Sequence, residues 1–569
     1  MEQKFIIYQM LLRVFGNTNE NCVPNGSLSL NGTGKFSSVN DAVFDHLRTL
    51  GVSHIWYTGV IEHATCESFE EWGIRGDNPS VVKGIAGSPY AIKDYYDVNP
   101  YLADNVDNRM GEFEDLVLRT HNAGFKVVLD FVPNHLAREY NSDSIPYWAN
   151  DFGIGDNQNN FSPDNNFYYI PGEMFSRGTY NERPAKATGN DCFSSTPSDN
   201  DWYETVKLNY GVDYLNGRSK HFNPIPKTWR MMHDILCFWA SKGVDAFRCD
   251  MAELVPVEFW EWCIREVKQK YPLLQFIAEV YNPSEYSSYM YRGGFDYLYD
   301  KVGLYDTLKG ISQNLSGRGW GPSASAVTGC WQSINDMQNR MLNFLENHDE
   351  QRIASDFNLG NPFRAIPSLA VSLMLNKAPF MLYFGQEVGE SGMLEEGFSG
   401  RDGRTSIFDW CSAPSVVRLL KSIGHNPSNS SSALTREESE LLGIYRGMFS
   451  FATSSKAITC GETFDLQYAN FNNPSFDTGK CFVFARKFTP GEFDDSFHRG
   501  GNTIANAASA PSEVVIIAVD FSQSISSVKI NLPQEFFRHW EIPFGKFNPY
   551  EQVEIVFDKY GVGILQFQY

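Results

Sequence analysis

Hydrophobic positions switch between two periods along the first 250 residues. Val39, Val43, Leu47 and Leu50 recur at helical spacing, Gly51 follows, and the apolar stretch Val52-Ser-His-Ile-Trp-Tyr57 comes next. The same order of helix, glycine and strand returns twice. Phe113, Leu116 and Val117 precede Gly124 and Phe125-Lys-Val-Val-Leu-Asp130, while Met232, Ile235, Leu236 and Trp239 precede Gly243 and Val244-Asp-Ala-Phe-Arg-Cys-Asp250. Spacing of three and four places an apolar stripe on one helical face. Glycine supplies the left-handed turn that ends such a helix. The short apolar runs read as strands buried on both sides, and repeated units of this kind predict a parallel sheet.

Further apolar runs are Phe5–Met10, Leu274–Glu279, Phe295–Tyr299, Met341–Leu345 and Pro379–Phe384. With the three above they make eight strands, which predicts a (β/α)8 TIM barrel carrying insertions. A doubly wound open sheet would favour a glycine-rich phosphate turn after the first strand, and none is present there. Residues 136–216 break the rhythm: the segment is rich in Asn, Asp, Gly, Pro and Ser and reads as an inserted irregular domain over the active face. After residue 458 only strands recur, among them Cys481–Lys487, Val514–Phe521, Val528–Leu532 and Gly563–Tyr569, with a turn at Arg499-Gly-Gly-Asn502. The expected organisation is a barrel from 1–135 and 217–457, the insertion at 136–216, and an all-β sandwich domain at 458–569.

Composition narrows the partners. A formal net charge of -21 argues against nucleic acid or an anionic membrane, both of which need a basic surface. No apolar run is long enough to span a bilayer, the stretch 370–384 being interrupted by Asn376 and Lys377. The ten cysteines show no paired CxxC spacing, and Cys237, Cys249 and Cys263 fall in apolar segments. A reduced compartment is therefore expected, and with no signal-peptide core at the start, a cytoplasmic protein.

Chemistry gathers at the strand ends. Arg248 and Asp250 are two residues apart and so share one side of a strand. A cation there favours the ionised acid, as a covalent nucleophile requires. Glu279 ends the fifth strand, Asp349 follows His348 after the seventh, and Asp130-Phe-Val-Pro-Asn134-His135 follows the third. Taken singly, an Asp beside an Arg is as often a structural ion pair, a lone His is more often a structural residue than a substrate contact, and Tyr90 alone reads equally as core. Together on one rim they point to chemistry on a glycosidic bond.

These segments resemble, in order and spacing, the four conserved regions of the alpha-amylase superfamily, glycoside hydrolase family 13. Tyr8-Gln9 with Arg13, Gly51 to Trp56, Ser88-Pro-Tyr90-Ala-Ile-Lys-Asp94-Tyr-Tyr-Asp97-Val-Asn-Pro100 and Phe384-Gly385-Gln-Glu387 extend the resemblance over residues 1 to 410. It implies that Asp250 is the nucleophile, Glu279 the general acid/base and Asp349 the third acid. It further implies that Arg248 fixes the nucleophile, that His135 and His348 donate to the sugar, and that Tyr90 stacks beneath it. Asn134 matches an asparagine that often binds Ca2+ in this superfamily; Asp213, in Leu208-Asn-Tyr-Gly-Val-Asp213, is the other candidate ligand, although calcium needs six to eight oxygens.

The implied activity is a retaining hydrolase of α-1,4-glucosidic bonds in starch, glycogen or maltooligosaccharides. Alternatives are a transglycosylase of trehalose synthase or branching type, an exo-acting α-glucosidase, including one cutting α-1,6 bonds, and a non-catalytic glucan-binding relative. The last would lack at least one of the three acids. Oligomeric state is left open, and Trp540 is a candidate platform for glucan on the C-terminal domain.

Overall fold

The computed structural model describes residues 4–398, 401–424, 433–490, 511–545, 547–549 and 551–569; the expected turn at Arg499-Gly-Gly-Asn502 lies outside them. Eight parallel strands close into a barrel. In chain order they are β1 (Ile6–Leu11), β2 (His54–Thr58), β3 (Lys126–Phe131), β4 (Ala246–Cys249), β5 (Gln275–Ala278), β6 (Tyr297–Tyr299), β7 (Met341–Phe344) and β8 (Phe380–Tyr383). Sequence neighbours pair around the ring, and β8 pairs with β1 through Ile6↔Phe380 to Gln9↔Tyr383. Alternation divides each strand. Ile7, Trp56, Val128, Ala246, Ile277, Leu342 and Met381 fill the barrel interior, while Ile6, Tyr8, Ile55 and Val127 join the layer under the helices.

The helices follow from local sequence. Helix α1 (Asp41–Thr49) is capped by Asn40, whose side chain accepts from the Ala42 and Val43 N–H groups. It buries Val43, Phe44 and Leu47. Helices α2 (Arg109–Asn122) and α3 (Lys227–Ser241) likewise bury an apolar face, through Phe113, Leu116 and Val117 and through Met232, Ile235, Leu236 and Trp239, but without a side-chain cap. The glycines after the three helices, Gly51, Gly124 and Gly243, have φ of 61, 90 and 93°, a region that costs any residue with a Cβ. No described helix is long and apolar enough to cross a membrane.

Two excursions frame the rim. Between β2 and β3, the strands Ile61–His63 and Ile92–Val98 form an antiparallel hairpin that the hydrophobic pattern does not predict. After β3 the chain enters the insertion at once: His135–Ala137 pairs antiparallel with Thr205–Lys207, joined by short pairs such as Phe175–Arg177 with Tyr180–Glu182.

Beyond the barrel lies the expected all-β domain. A four-stranded antiparallel sheet runs β9 (Glu462–Asp465), β10 (Cys481–Phe488), β11 (Glu513–Asp520) and β14 (Val562–Gln568). Strands β12 (Ser527–Asn531) and β13 (Gln552–Val556) form a second sheet. Val483, Ala485, Ile516, Val528, Ile530 and Ile555 make the core between them, while Phe482, Phe484, Val515 and Ile517 face the barrel. Trp540 is only 2% exposed and packs on Phe464 and Phe536, so it offers no platform to a glucan.

Cys22 and Cys411 are paired as a disulfide across 389 residues, with Cα atoms 5.0 Å apart, a pairing the cysteine spacing did not predict. Pairing at that separation leaves no spacing signature, because the barrel's closure, not the local chain, brings the partners together.

Candidate active site

The β3–β4 register sets Arg248 beside Asp130, and the ladder continues past β4, where Asp250 N–H donates to Phe131 O at 2.8 Å. Glu279 N–H donates in turn to Cys249 O at 3.1 Å. Backbone hydrogen bonds thus hold both acids at the barrel rim, each one residue past its strand.

Arg248 is the centre of the arrangement and is wholly buried. Its Nη1 donates to Asp250 Oδ1 at 2.7 Å and to Asp130 Oδ1 at 3.4 Å, and Nη2 lies 2.7 Å from Glu279 Oε2 in an ion pair. That last contact is charge against charge, since its angle is poor for a hydrogen bond. The guanidinium also lies among the rings of Trp56, Tyr90 and Tyr299, at 5.4, 5.3 and 5.6 Å from their centroids. Rings around a cation favour it electrostatically while excluding water.

Three carboxyls around one guanidinium leave an excess of negative charge. Burial raises the Asp250 pKa well above the usual carboxylate range; Arg248 opposes the shift, while Glu279 and Asp130 add to it. Asp130 is pushed up to about 6, chiefly by burial. The expectation that Arg248 alone keeps Asp250 ionised is thus incomplete, because the cation is shared. Asp250 Oδ2 is buried and has no protein partner, so one oxygen of this acid is unencumbered.

Glu279 is held by more than Arg248. Tyr281 donates its phenol to Oε1 at 2.5 Å, and the Met251 N–H donates to Oε2 at 2.8 Å. Met251 is in the left-handed region, φ 43° and ψ 43°. That conformation is uncommon for a residue with a side chain, and it aims the amide at the acid.

The histidines are neutral. Burial lowers His348 and His135 to about 3. Gln9 Nε2 lies 2.9 Å from His348 Nδ1, which makes Nδ1 the acceptor and leaves Nε2 protonated. Nε2 lies 3.2 Å from Asp349 Oδ2. The His348 ring stacks on Tyr90 with centroids 5.0 Å apart, so these two substrate-contact candidates form one wall. Asn134 Nδ2 donates to His135 Nδ1 at 3.1 Å, and Trp202 of the insertion packs on that ring. Asp349 differs from the other acids: its side chain is 48% exposed to the cleft, though surrounding protein still raises its pKa.

The candidate metal residues are each engaged by other groups. Asn134 Oδ1 accepts from Lys207 Nζ at 2.7 Å, and the same ammonium lies 2.5 Å from Asp191 Oδ1. A fixed positive charge thus sits where a cation bound to Asn134 would be. Asp213 caps its own turn, accepting from the Leu215 and Asn216 N–H groups and from Asn216 Nδ2. This pair does not fit a calcium site.

Tyr281, Tyr299 and Lys207 were not anticipated. Tyr281 follows Glu279 by two residues, so strand alternation could have flagged it; no local signal marks the other two.

The family model described as "Alpha amylase, catalytic domain" matches residues 9–428. "Alpha-amylase 3" of Dictyoglomus thermophilum is 24% identical over 324 residues, 53% of this chain and 54% of that protein. "Cyclomaltodextrin glucanotransferase" of Geobacillus stearothermophilus is 23% identical over 448 residues, 74% of this chain and 54% of that protein. The chain therefore spans about half the length of these curated relatives. Among solved structures, the cyclic alpha-maltosyl-(1-->6)-maltose hydrolase of Arthrobacter globiformis shares the fold with a TM-score of 0.60 at 18% identity, covering 100% of this chain and 98% of its own. An alpha-amylase of Geobacillus thermoleovorans shares it at 0.57 and 18%, with coverage of 100% and 98%. With a closed eight-stranded barrel, acids at its strand ends and a family match running from β1 past β8, the chain belongs to the alpha-amylase family of glycoside hydrolases.

Proposed function

We propose that the chain is a retaining hydrolase of α-1,4-glucosidic bonds in starch, glycogen or maltooligosaccharides. The observation that carries this reading is that one guanidinium touches both Asp250 and Glu279. A retaining pair has its carboxyls ~5–5.5 Å apart, and contact with the two terminal nitrogens of one guanidinium brings both acids to the same part of the rim.

In this reading Asp250 Oδ2 attacks the anomeric carbon. As that C–O bond forms, the glycosidic C–O bond breaks, and protonated Glu279 gives its proton to the leaving oxygen. Water then transfers a proton back to Glu279 and attacks the same carbon, releasing Asp250 from the ester. Two inversions give net retention. Asp349, facing the cleft, grips sugar hydroxyls and steadies the developing positive charge, and neutral His135 and His348 donate from Nε2. Close packing of acids keeps a proton within the group, because neighbouring carboxyls resist ionising together; placing that proton on Glu279 follows the family resemblance.

A transferase reading uses the same ester with a sugar hydroxyl in place of water, and it has support in a relative named a glucanotransferase. An α-1,6 exo-glucosidase reading has similar support in a relative named "Oligo-1,6-glucosidase". Chromatography of products from maltoheptaose, maltose and isomaltose separates the three. Shorter maltooligosaccharides alone support hydrolysis; products longer than the substrate, or trehalose, favour transfer; glucose from isomaltose alone favours the α-1,6 reading.

Asp250→Asn should lower kcat by at least about 10³-fold, the scale expected for loss of a nucleophile, with the melting temperature little changed. Retention of most activity on every α-glucoside would overturn the mechanism.

A further inference from the structure

Away from the catalytic rim, four carboxylates converge where the Ile61–His63/Ile92–Val98 hairpin meets the root of the insertion. Glu62 and Asp94 are direct cross-strand partners. Asp97 lies on the same strand as Asp94, and Asp143 comes from the inserted segment. One oxygen from each of the four lies within 4.8 Å of the others. Like charges placed directly across a strand pair destabilise it, so the arrangement needs a counter-charge.

The cations at hand do not supply enough. Arg109 Nε donates to Asp97 Oδ2 at 2.8 Å and its guanidinium lies 3.8 Å from Asp143, which neutralises one carboxylate. Lys93 bonds to Asp77 and the Arg75 carbonyl and reaches Glu62 and Asp143 only through space, too weakly to cancel the upward shift of either. Asp94 is steadied by the N–H groups of Tyr96, Asp143 and Ser144 but meets no cation of its own. The telling residue is Glu62. It is 2% exposed, and its Oε2 is buried without any hydrogen-bond partner. A buried carboxylate oxygen with nothing to bind is costly unless something absent from the protein itself completes it.

We propose that Glu62, Asp94, Asp97 and Asp143 form a binding site for a hard divalent cation of the calcium type. All four ligands are oxygens, and no His or Cys belongs to the group, which excludes a zinc-type site. Oxygens facing each other across a calcium ion stand apart by about twice a 2.3–2.6 Å bond, and these carboxylates lie within 4.8 Å of one another, close enough to converge on one ion. In the free protein, burial and mutual repulsion raise Glu62 well above the usual range and Asp94 up to about 6. A divalent ion would reverse both shifts. Its structural effect is to fasten the hairpin whose turn carries Tyr90 to the first loop of the insertion, so that one wall of the cleft depends on it.

The test is calcium titration of chelator-treated full-length protein by calorimetry, with thermal melts in parallel. One site should bind CaCl2 and raise the melting temperature, with MgCl2 binding more weakly. Glu62→Gln preserves shape while removing the charge, and should weaken binding at least about tenfold, the scale for a disturbed metal shell. Asp213→Asn should leave binding unchanged. The proposal is overturned by no calcium uptake in the wild type, by undiminished uptake in the folded Glu62→Gln variant, or by loss of uptake in Asp213→Asn. If Glu62→Gln fails to fold, terbium luminescence sensitised by nearby tyrosines in the wild-type protein, competed by calcium, gives the same decision. Absence of a competed signal counts against the site.

Discussion

A single residue, Arg248, organises the acid-bearing rim of the barrel. It contacts Asp130, Asp250 and Glu279 and is enclosed by three aromatic rings. Sharing one cation among three acids has a measurable consequence for pH. Asp250 binds its proton more tightly than a free aspartate, so a reaction that needs it ionised loses rate on acidification above the ordinary range of about 4. Asp130 contributes to that upward shift. Asp130→Asn removes a negative neighbour, makes Asp250 easier to ionise, and should move the acid limb of kcat/KM to lower pH. An unmoved limb, or one displaced to higher pH, would contradict the coupling. The histidines impose no limb near neutrality, because burial has already fixed both as neutral.

At the scale of elements, the strand ends present the chemistry and the insertion braces it. Lys207 lies on the insertion strand paired with His135–Ala137, and its ammonium joins Asn134 to Asp191. Lys207→Met should cost about 1–3 kcal/mol, less than the 3–5 kcal/mol of a fully buried pair because Asp191 is partly exposed. Thermal or urea unfolding measures it, and an unchanged midpoint would show that Lys207 is not a brace. This element also shows what could be read beforehand. Asn134 and His135 were legible from a motif at the end of β3, but the ammonium that occupies Asn134 comes from 73 residues away. The hairpin of residues 61–98 was missed for a related reason: its strands are three and seven residues long and buried throughout, so they carry no alternation.

Across the whole molecule, two ties connect distant parts. Arg486 on β10 is fully buried and donates to the carbonyls of Leu375, Ala457, Ile458 and Gly461 and to the Thr463 hydroxyl, joining the β domain to the barrel. Arg486→Leu strands those acceptors and should destabilise the chain by at least about 2 kcal/mol, since unpaired buried carbonyls cost ~1–3 kcal/mol each before relaxation. An unchanged denaturation midpoint would refute that role. The other tie is the Cys22–Cys411 disulfide. Alkylation of the unfolded, unreduced protein should label the eight free cysteines and leave two for labelling after reduction. Ten labels without reductant would mean that the bridge does not form where the protein is made.

The order of the barrel strands was settled by the chain alone. Helical and strand periods, glycine stops and strand-end acids are local features, and eight of them in series admit few arrangements other than a closed barrel. Asp250, Glu279 and Asp349 were legible for the same reason, each being anchored to the end of a strand visible in the pattern. What tertiary structure decided is everything that depends on distance through space. Only closure of the ring puts three carboxyls on one guanidinium, brings Tyr299 to Arg248, seats Lys207 on Asn134, buries Trp540 and sets Glu62 among three other acids. Charge and burial act over a few ångströms in any direction, whereas a sequence records neighbours along one line.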